Sequence, residues 1–402
     1  MGNSVANKEK KGTYLFTFAG LLKDWFIAQI ELGSIEIYLY AFALFFWMYH
    51  LVYIFDIYVR AHRLKKTNDA ETGILPSISI IIAAKNEFKN LQVLIPALLK
   101  QNYPLYEIIL INDGSYDETD EWASQFALKE PKLKYTFMDP AFFKVDGKKM
   151  ALTLGIKKSR FEHLVLLDGD CLPPSNEYLQ QYGQQFSQGK NLVLGLSPYK
   201  KHRGLLNRLI QFETYLTAGS YLALASKGKP YMGLGRNMAY TKSLYESVNG
   251  FESHYEIPCG DDDLFVQSVS KKCKVGWVLS PESMTYSEPK TTWKSYVKQK
   301  LRHLWAGKYY KSSFKRKLAR LPISNLLFWG IVLISMSFKM HWFIGAFLIL
   351  LKLIIKWVVF HVTSKSLMKS NRVSLYPLVS VVHLYFQLFT TIKLYFIKKI
   401  SW

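Results

Sequence analysis

The sequence predicts an α/β domain with a doubly wound, Rossmann-like sheet, flanked by apolar helices that cross a membrane. Between about Leu75 and Glu288, short continuous apolar runs alternate with helical segments. Polar and acidic residues follow the ends of those runs, and long apolar stretches flank the whole segment. Continuous apolar runs are typical of parallel strands buried on both faces. Such sheets bind ligands beyond the carboxyl ends of their strands.

The first buried strands can be placed individually. Apolar runs predict strands from Ile78 to Ala83, from Glu107 to Ile111 and from His163 to Leu167, and a helix from Leu91 to Lys100. A polar stretch follows each of these strands directly. A ligand site is therefore expected at that edge of the sheet.

Two carboxylates separated by one residue follow the third strand, as Asp168-Gly169-Asp170. Side chains at i and i+2 share one face of a strand, so these carboxylates can converge. Mg²⁺ and Mn²⁺ prefer hard oxygen ligands, and substrate phosphates can complete their coordination. Acidic residues beside glycine are also common in ordinary turns, so this motif predicts a metal site only together with other motifs.

The formal net charge of +22 is distributed unevenly along the 402 residues. No acidic residue follows Glu288, although 20 of the 52 Lys and Arg residues do, so the preceding part is nearly neutral. The basic clusters of the last part alternate with apolar stretches, as in sequences that lie beside anionic lipid. The charge therefore indicates a membrane partner and no nucleic acid.

The stretch from Ile35 to Tyr58 is long enough to cross a bilayer, and a cluster of Arg and Lys follows it directly. By the positive-inside rule that flank is cytoplasmic, which places the following domain in the cytoplasm. The stretch lacks a small-residue cleavage site and begins far into the chain, so a retained anchor is expected. Tyr14 to Leu32 is apolar but charged, which predicts an interfacial helix.

Three further apolar stretches close the chain, at roughly 323–338, 342–360 and 375–397. Their lengths are close to what a bilayer requires. Lys352 and Lys356 lie inside the second stretch, and polar residues interrupt the third. Either two or three spans are therefore expected, one pair forming a shallow hairpin or lining a protein-filled cleft. Before them, Trp293 to Arg320 predicts a basic amphipathic helix at the membrane surface.

Between roughly Leu75 and Tyr310 the chain resembles the family-2 glycosyltransferases. Six motifs occur in the order and approximate spacing of that family: SISIIIAAKNE, IILINDGSYDET, DGKKMALTLGI, LVLLDGD, GLGRNMAY with NGF, and GDDDLF. The resemblance implies a GT-A fold, a nucleotide-diphospho-sugar donor and inversion at the anomeric carbon. Membrane-anchored members also carry flanking transmembrane helices, and the family implies a role in polysaccharide biosynthesis at the cell envelope.

The resemblance implies donor-binding roles for five residues. Glu87 and Asp113 would contact the nucleoside, and the ammonium group of Lys148 would lie near the diphosphate. Asp168 and Asp170 match the DXD pair that binds Mg²⁺ or Mn²⁺, with Asp170 as the direct ligand. Without the resemblance, Glu87 and Asp113 could be helix caps, and Lys148 could be a solvated surface lysine.

Three adjacent carboxylates follow Gly260, and one of them matches the general base of the family. Such neighbours repel one another, so at least one is expected to have a raised pKa. The spacing to Leu264 places the base at Asp261, but Gly260 replaces the usual glutamate, which leaves Asp261 and Asp262 both open. An Asp-rich helix N-terminus, favoured by the helix dipole, is the structural alternative.

Four more residues match sugar-binding positions of the family. Gly235 and Asn237 belong to a loop that approaches the donor or acceptor sugar. Gln299 and Arg302 match part of the Q-x-x-R-W motif of processive polysaccharide synthases, but His303 stands where the tryptophan is expected. The departure weakens the prediction of processive synthesis, and His303 itself is expected at the membrane interface.

The sequence thus predicts an inverting, metal-dependent glycosyltransferase that acts at the cytoplasmic membrane face, with Mg²⁺ or Mn²⁺ as cofactor. A processive polysaccharide synthase is the second prediction. A membrane protein that binds a sugar nucleotide without catalysis is the alternative of another class. The expected partners are the nucleotide-diphospho-sugar donor, a lipid-linked or glycan acceptor, and the bilayer.

Five parts are predicted along the chain of this multi-pass protein of the cell membrane. They are an N-terminal tail with the interfacial helix (1–32), a transmembrane anchor (33–60), the GT-A catalytic domain (75–288), basic amphipathic interface helices (289–321) and a C-terminal transmembrane region (322–402).

Overall fold

The computed structural model describes residues 34–57, 59–60, 63–64, 73–139, 147–338, 341–368 and 376–397. The chain forms two compact units. The helical unit comprises Met1–Ile54 and Leu318–Lys356, and the sheet unit comprises Phe55–Lys317 and Trp357–Trp402. The interfacial helix expected before the first span lies outside the described residues.

A seven-stranded mixed sheet forms the centre of the sheet unit. Its strands are β1 (Ile78–Ala84), β2 (Tyr106–Asn112), β3 (Leu133–Phe137), β4 (His163–Asp168), β5 (Leu192–Gly195), β6 (Met238–Thr241) and β7 (Val275–Val278). Their spatial order is β3-β2-β1-β4-β6-β5-β7. Strands β3, β2, β1 and β4 are parallel, whereas β6 runs antiparallel to both β4 and β5.

The α/β fold class is therefore confirmed, with an addition that the sequence did not reveal. The three strands predicted individually are β1, β2 and β4, and each is found within one residue of its predicted bounds. The antiparallel strand β6 has only four residues, which is too short for a periodic pattern to be recognised.

The helices of the described part are, in chain order, α1 (Ser34–Ile57), α2 (Phe88–Leu99), α3 (Thr119–Lys129), α4 (Gly147–Lys158), α5 (Tyr178–Ser187), α6 (Leu205–Ser226), α7 (Lys242–Glu246), α8 (Asp263–Val269), α9 (Trp293–Gly307), α10 (Ser312–Ser337), α11 (Trp342–Met368) and α12 (Tyr376–Tyr395). Helices cover both faces of the sheet. Ile80 and Ile82 of β1 share a core with α2 and α5. Ile81 points the other way, where α4 approaches so closely that a Cβ at Gly155 would lie 2.7 Å from it.

Four described helices, α1, α10, α11 and α12, are long and apolar enough to cross a membrane. Three of them lie in the C-terminal region, the larger of the two numbers expected. Within the sheet unit, α12 packs along α6 and α9.

The segment predicted as one basic helix forms two. It supplies all of α9 and the first turns of α10, with a break after Gly307. At the end of α9 the Lys308 N–H donates to the Trp305 carbonyl at 3.0 Å, and the basic pattern on both sides of the break concealed it in the sequence.

Candidate active site

A cavity of about 260 Å³ lies beside the end of β4. Its walls come from the turn after β4, the start of α4, the loop before β6, the acidic segment before α8, and α9. Eight residues expected in the site line it: Lys148, Asp168, Asp170, Gly235, Asp261, Asp262, Gln299 and Arg302. Glu87, Asp113 and Asn237 do not line this cavity.

Lys148, in the first turn of α4, joins the two acidic parts of the cavity. Its Nζ lies 2.9 Å from Asp168 Oδ1 and 3.0 Å from Asp261 Oδ2. Desolvation of the ammonium group favours its neutral form, but the two carboxylates outweigh this and raise the pKa of Lys148 well above its usual range. Lys148 is therefore a fixed cation between the Asp-Gly-Asp turn and the acidic segment.

The three adjacent aspartates have different surroundings. Burial favours the neutral form of Asp261, but Lys148 offsets this and lowers the pKa of Asp261 below its ordinary value. Asp262 is half-buried; its Oδ2 accepts from the Gly235 N–H at 3.1 Å, and its Oδ1 accepts from the Asp263 N–H at 2.7 Å. Burial and then the charge of Asp261 raise the pKa of Asp262 to about 6.

Asp263 begins α8 and is buried. Its Oδ1 accepts from the Leu264 N–H at 2.7 Å, and its Oδ2 accepts from the Tyr310 hydroxyl at 2.5 Å. Burial and then the charge of Asp262 raise the pKa of Asp263 to about 8. A raised pKa was expected for at least one carboxylate of this cluster, and both Asp262 and Asp263 have one. Asp262 also caps the N-terminus of α8, which was the structural alternative for this segment.

The raised pKa values predict that the folded protein loses stability as the pH rises. The folded pKa values of Asp262 and Asp263 are about 6 and about 8, above the ordinary 3.8, so the folded state binds more protons between these limits. This contribution is complete below pH 3.8 and is lost as the pH rises through 6 and 8. We expect the melting temperature of the purified protein to fall by a few degrees between pH 6 and pH 8.5. Asp263→Asn should reduce that fall, whereas the exposed control Glu121→Gln should not; an unchanged fall in Asp263→Asn would contradict the assignment.

The Asp-Gly-Asp turn has the donor chemistry of a Mg²⁺ or Mn²⁺ site. Asp168 is half-buried and Asp170 is exposed, and both line the cavity. No group of three His, Cys, Asp or Glu side chains in the described part of the chain is placed to hold a metal by itself. These ions commonly take one or two protein carboxylates together with phosphates and water, so the two aspartates fit such an ion bound with a diphosphate.

Glu87 and Asp113 lie at the ends of β1 and β2, outside the cavity walls. Glu87 packs against the Asp-Gly-Asp turn, since a Cβ at Gly169 would lie 3.2 Å from its Cγ. Burial, reinforced by Asp170 and Asp168, raises the pKa of Glu87, although a hydrogen bond from Asn90 opposes the shift.

Asp113 is buried, and its Oδ1 has no hydrogen-bond partner among the described residues. Burial raises its pKa, while Lys85 lowers it. A Cβ at Gly147 would lie 2.1 Å from that oxygen, so glycine is needed where α4 meets Asp113. Because buried polar atoms are nearly always hydrogen-bonded, Asp113 is an acceptor suited to a ligand donor group.

Asn237 does not line the cavity, and the approach of its loop to the sugar stays a prediction. Its side chain is fully buried. The Oδ1 atom accepts from the hydroxyls of Tyr178 and Tyr182, and Nδ2 donates to the carbonyls of Leu196 and Ser283. Every polar position of the amide is thereby used inside the protein, so Asn237 is a structural residue. The match to the family motif alone does not show whether this asparagine side chain packs inside the protein or contacts a ligand.

The sequence analysis missed Arg236, which lines the cavity next to Asn237. Its guanidinium donates to Ser287 Oγ at 3.0 Å and to the Ser197 carbonyl at 2.8 Å, and it lies 4.1 Å from the centre of the Tyr199 ring. The motif GLGRNMAY contained this arginine, but only the tertiary structure shows that it faces the cavity.

His303 lines the cavity, and its expected place at the membrane interface stays a prediction. Desolvation and the neighbouring cations Lys300, Arg302, Arg236 and Lys148 lower its pKa well below the usual range. The imidazole is therefore neutral near pH 7.

Helix α9 carries its cavity residues on one face, at 299, 302, 303 and 306. Its other face is held by Glu213 of α6, whose Oε1 lies 2.5 Å from Lys300 Nζ and whose Oε2 accepts from the Tyr296 hydroxyl. Tyr296 also stacks on Phe386 of α12. These contacts fix the rotation of α9 that presents Gln299 and Arg302 to the cavity.

Comparison with known proteins identifies the region that contains Lys148, the Asp-Gly-Asp turn and the loop before β6. Residues 79–248 match the sequence profile described as Glycosyl transferase family 2. Glycosyltransferase AglE of Haloferax volcanii is 36% identical over 104 residues, covering 25% of this chain and 33% of the relative. Probable glycosyltransferase YdaM of Bacillus subtilis is 24% identical over 261 residues, covering 63% and 60%.

The third relative is poly-beta-1,6-N-acetyl-D-glucosamine synthase of Staphylococcus epidermidis, which is 31% identical over 127 residues, covering 32% of this chain and 30% of the relative. The chain thus spans between 30% and 60% of the lengths of these relatives.

The fold is also found among solved structures. The mannosyltransferase PcManGT from Pyrobaculum calidifontis, in complex with GDP-Man and Mn²⁺, superposes with a TM-score of 0.58 at 16% identity, covering 90% of this chain and 100% of that one. The resemblance found in the sequence motifs is confirmed by the matching profile. Residues 79–248 therefore form a Glycosyl transferase family 2 domain with a GT-A-like fold, and the described part of the chain contains four helices long and apolar enough to cross a membrane.

Proposed function

We propose that this chain transfers a sugar, with inversion, from a nucleotide-diphospho-sugar to an acceptor hydroxyl at the cytoplasmic face of the cell membrane. The observation that carries the proposal is the single cavity in which Lys148, the Asp-Gly-Asp turn and the acidic segment from Asp261 to Asp263 meet. Recognition of a diphosphate needs cations and metal-binding carboxylates, and activation of a hydroxyl needs a base. The cavity contains all of these groups.

The donor would extend from the cavity toward the ends of β1 and β2. Asp113, with its unpartnered buried oxygen, and Glu87 would accept hydrogen bonds from the nucleoside. Lys148 would lie against the diphosphate as a point charge. The complex of the related fold with GDP-Man and Mn²⁺ supports a nucleotide-diphospho-sugar as the donor class.

Asp168 and Asp170 would hold Mg²⁺ or Mn²⁺, with the exposed Asp170 as the direct ligand. When bound, the ion offsets the negative charge of the departing nucleoside diphosphate as a Lewis acid. Asp168 is already held by Lys148, which fixes the orientation of its carboxylate.

Asp261 or Asp262 would take the proton of the acceptor hydroxyl as its oxygen attacks the anomeric carbon and the bond to the diphosphate breaks. Before the donor binds, Lys148 holds the pKa of Asp261 low. A diphosphate adds negative charge beside the same ammonium group, so the pKa of Asp261 should rise on donor binding. Asp262, with a pKa of about 6, needs no such change. In a single displacement the product has the opposite anomeric configuration; a product that retains the configuration would contradict the proposal.

The proposal predicts metal-dependent release of nucleoside diphosphate by the purified protein. We expect turnover with one or more members of a sugar-nucleotide panel in Mn²⁺ or Mg²⁺, and its loss in EDTA. Asp170→Asn should lower the rate by about 100-fold or more, because the ion contributes several kcal/mol of charge stabilisation. The exposed carboxylate Glu121 on α3 supplies the matched control Glu121→Gln, which should retain the wild-type rate. Turnover that persists in EDTA and in Asp170→Asn would exclude the proposed metal role.

A processive polysaccharide synthase is the second candidate. Gln299 and Arg302 line the cavity, and one relative is a poly-beta-1,6-N-acetyl-D-glucosamine synthase. Product length at low substrate conversion separates the two, because single transfer adds one sugar to each acceptor and processive action gives long chains at once. A membrane protein that only binds sugar nucleotides would instead be supported if the double variant Asp168→Asn, Asp170→Asn had no effect on function.

A further inference from the structure

The helical unit contains a cluster of basic side chains within its apolar helices. Lys352 and Lys356 lie one turn apart on α11, and His50 lies on α1 within electrostatic range of both. Lys352 is fully buried, and Lys356 and His50 are 7% and 4% exposed. None of these three residues has a role in the proposed sugar transfer.

The donor atoms at the centre of this cluster have few partners among the described residues. Lys352 Nζ makes no hydrogen bond and lies 3.5 Å from the centre of the Phe328 ring of α10. Trp47 of α1 packs against the same phenylalanine, and its Nε1 also lacks a partner. His50 Nδ1 bonds to Ser324 Oγ at 3.0 Å, whereas His50 Nε2 is buried without a partner.

No carboxylate neutralises the cluster within the described part of the helical unit. Glu36 is the one acidic residue there, and it bonds to the backbone N–H and the ring of His341. Glu36 precedes His50 by fourteen residues, which corresponds to about 21 Å along α1. It is therefore too far away to act as a counter-ion for Lys352 or Lys356.

Contact with aromatic rings does not compensate for this burial. A cation–π contact contributes about 0.5–2 kcal/mol, whereas a lysine at the centre of a membrane helix costs about 2.5–3.5 kcal/mol. Two such lysines one turn apart also repel each other. Basic residues inside membrane helices usually pair with an anion or line a functional site.

The depth of the cluster indicates where an anion would come from. His50 precedes the end of α1 at Ile57 by seven residues, and Lys356 precedes Ser364, the end of its apolar span, by eight. Both distances correspond to about 10–12 Å along a helix, and Lys352 lies one turn deeper, at about 18 Å from Ser364. A lysine side chain can extend several ångströms toward the headgroup layer. A lipid phosphate drawn slightly below that layer is within reach.

We propose that Lys352, Lys356 and His50 form a binding site for the phosphate headgroup of an anionic lipid. Phosphate oxygens are strong acceptors for ammonium groups, and the hydrocarbon chains of such a lipid match the apolar surface around the cluster. The lipid supplies the negative charge that the described residues of the helical unit do not place near the cluster.

Native mass spectrometry of the detergent-purified full chain tests this proposal. The probes are phosphatidate, which carries a phosphomonoester, and zwitterionic phosphatidylcholine. We expect the wild-type protein to retain one phosphatidate and no phosphatidylcholine. Lys352→Met should weaken phosphatidate binding about tenfold, the usual contribution of a charged hydrogen bond, and Lys352→Met with Lys356→Met should abolish it. Lys393→Met removes an exposed lysine at the end of α12 and should bind like the wild type.

Two further measurements keep the result unambiguous. Phosphatidate should raise the melting temperature of the wild-type protein but not that of the double variant, which is expected to fold because it removes buried charge. Equal phosphatidate retention by wild type and double variant would overturn the proposal. Displacement by millimolar inorganic phosphate would assign the site to the free ion and overturn the lipid. Asp261→Asn should retain the lipid normally, so the outcome does not depend on the proposed transferase activity.

Discussion

Asp261→Asn is expected to lower kcat of sugar transfer by about 10²–10⁴-fold, the usual contribution of a general base. Asp261 lines the cavity, and its Oδ2 lies 3.0 Å from Lys148 Nζ. Asparagine has nearly the same shape as aspartate but lacks the negative charge with which the carboxylate accepts a proton. The KM for the donor should change little, because Lys148 keeps its contact with Asp168. Initial rates of nucleoside-diphosphate release, measured over a range of donor concentrations, give both quantities.

The neighbouring aspartates supply matched comparisons for this variant. Asp262→Asn keeps one side-chain oxygen, which can accept from the Gly235 N–H or the Asp263 N–H but not from both, and Asp263→Asn keeps an acceptor for the Leu264 N–H. If Asp261 is the base, Asp261→Asn should be the most damaging of the three. A larger loss in Asp262→Asn would transfer the role to Asp262.

The pH dependence of kcat/KM separates the same two candidates without any substitution. A base must be deprotonated in the free enzyme, so kcat/KM rises with pH through the pKa of that group. For Asp262 this rise should be centred near pH 6. For Asp261, whose pKa Lys148 lowers, kcat/KM should already be constant above about pH 5.

Three of the four parallel strands β1 to β4 could be predicted because they are continuous apolar runs bounded by polar residues, whereas β3 (LKYTF) is short and only partly apolar. The order of the sheet beyond β4 could not, since β5, β6 and β7 have four residues each and pair across long stretches of sequence. The same distinction holds for the membrane helices. Their length and apolarity are local properties, whereas the packing of α12 along α6 and α9 is a tertiary one.

In the candidate site, sequence motifs predicted which residue types are needed but not which side chains face the cavity. Asn237 and Arg236 are adjacent in one motif; the first is fully bonded inside the protein, and the second reaches the cavity. His303 shows the same limit, because its position depends on the rotation of α9 that Glu213 and Tyr296 fix. Motif matching cannot distinguish two neighbours on a turn whose side chains point in opposite directions.

Lys148→Met is expected to produce the second large loss, about 10²–10³-fold in kcat/KM, comparable to the removal of one donor from a preorganised anion site. Among the described residues, Lys148 is the one cation with recorded contacts to both Asp168 and Asp261, and the substitution removes its charge. The pKa of Asp261 should then rise, because burial is no longer offset by that cation. The acid limb of kcat/KM should therefore move to higher pH in the variant, which loss of folding alone would not produce.

The adjacent Lys149 provides the matched control, because the two lysines differ in position and not in chemistry. Lys149 is fully buried and its Nζ donates to the carbonyls of His254 and Ile257, each at 2.6 Å, so it supports the loop before the acidic segment. Lys149→Met should chiefly lower the melting temperature, since it removes two hydrogen bonds that a fully buried ammonium group makes to this loop. Lys148→Met should chiefly lower kcat/KM, with little effect on melting. If both variants lost stability and activity in the same proportion, Lys148 would be a structural residue, and the charge that meets the diphosphate would have to come from Arg236 or Arg302 in the same cavity.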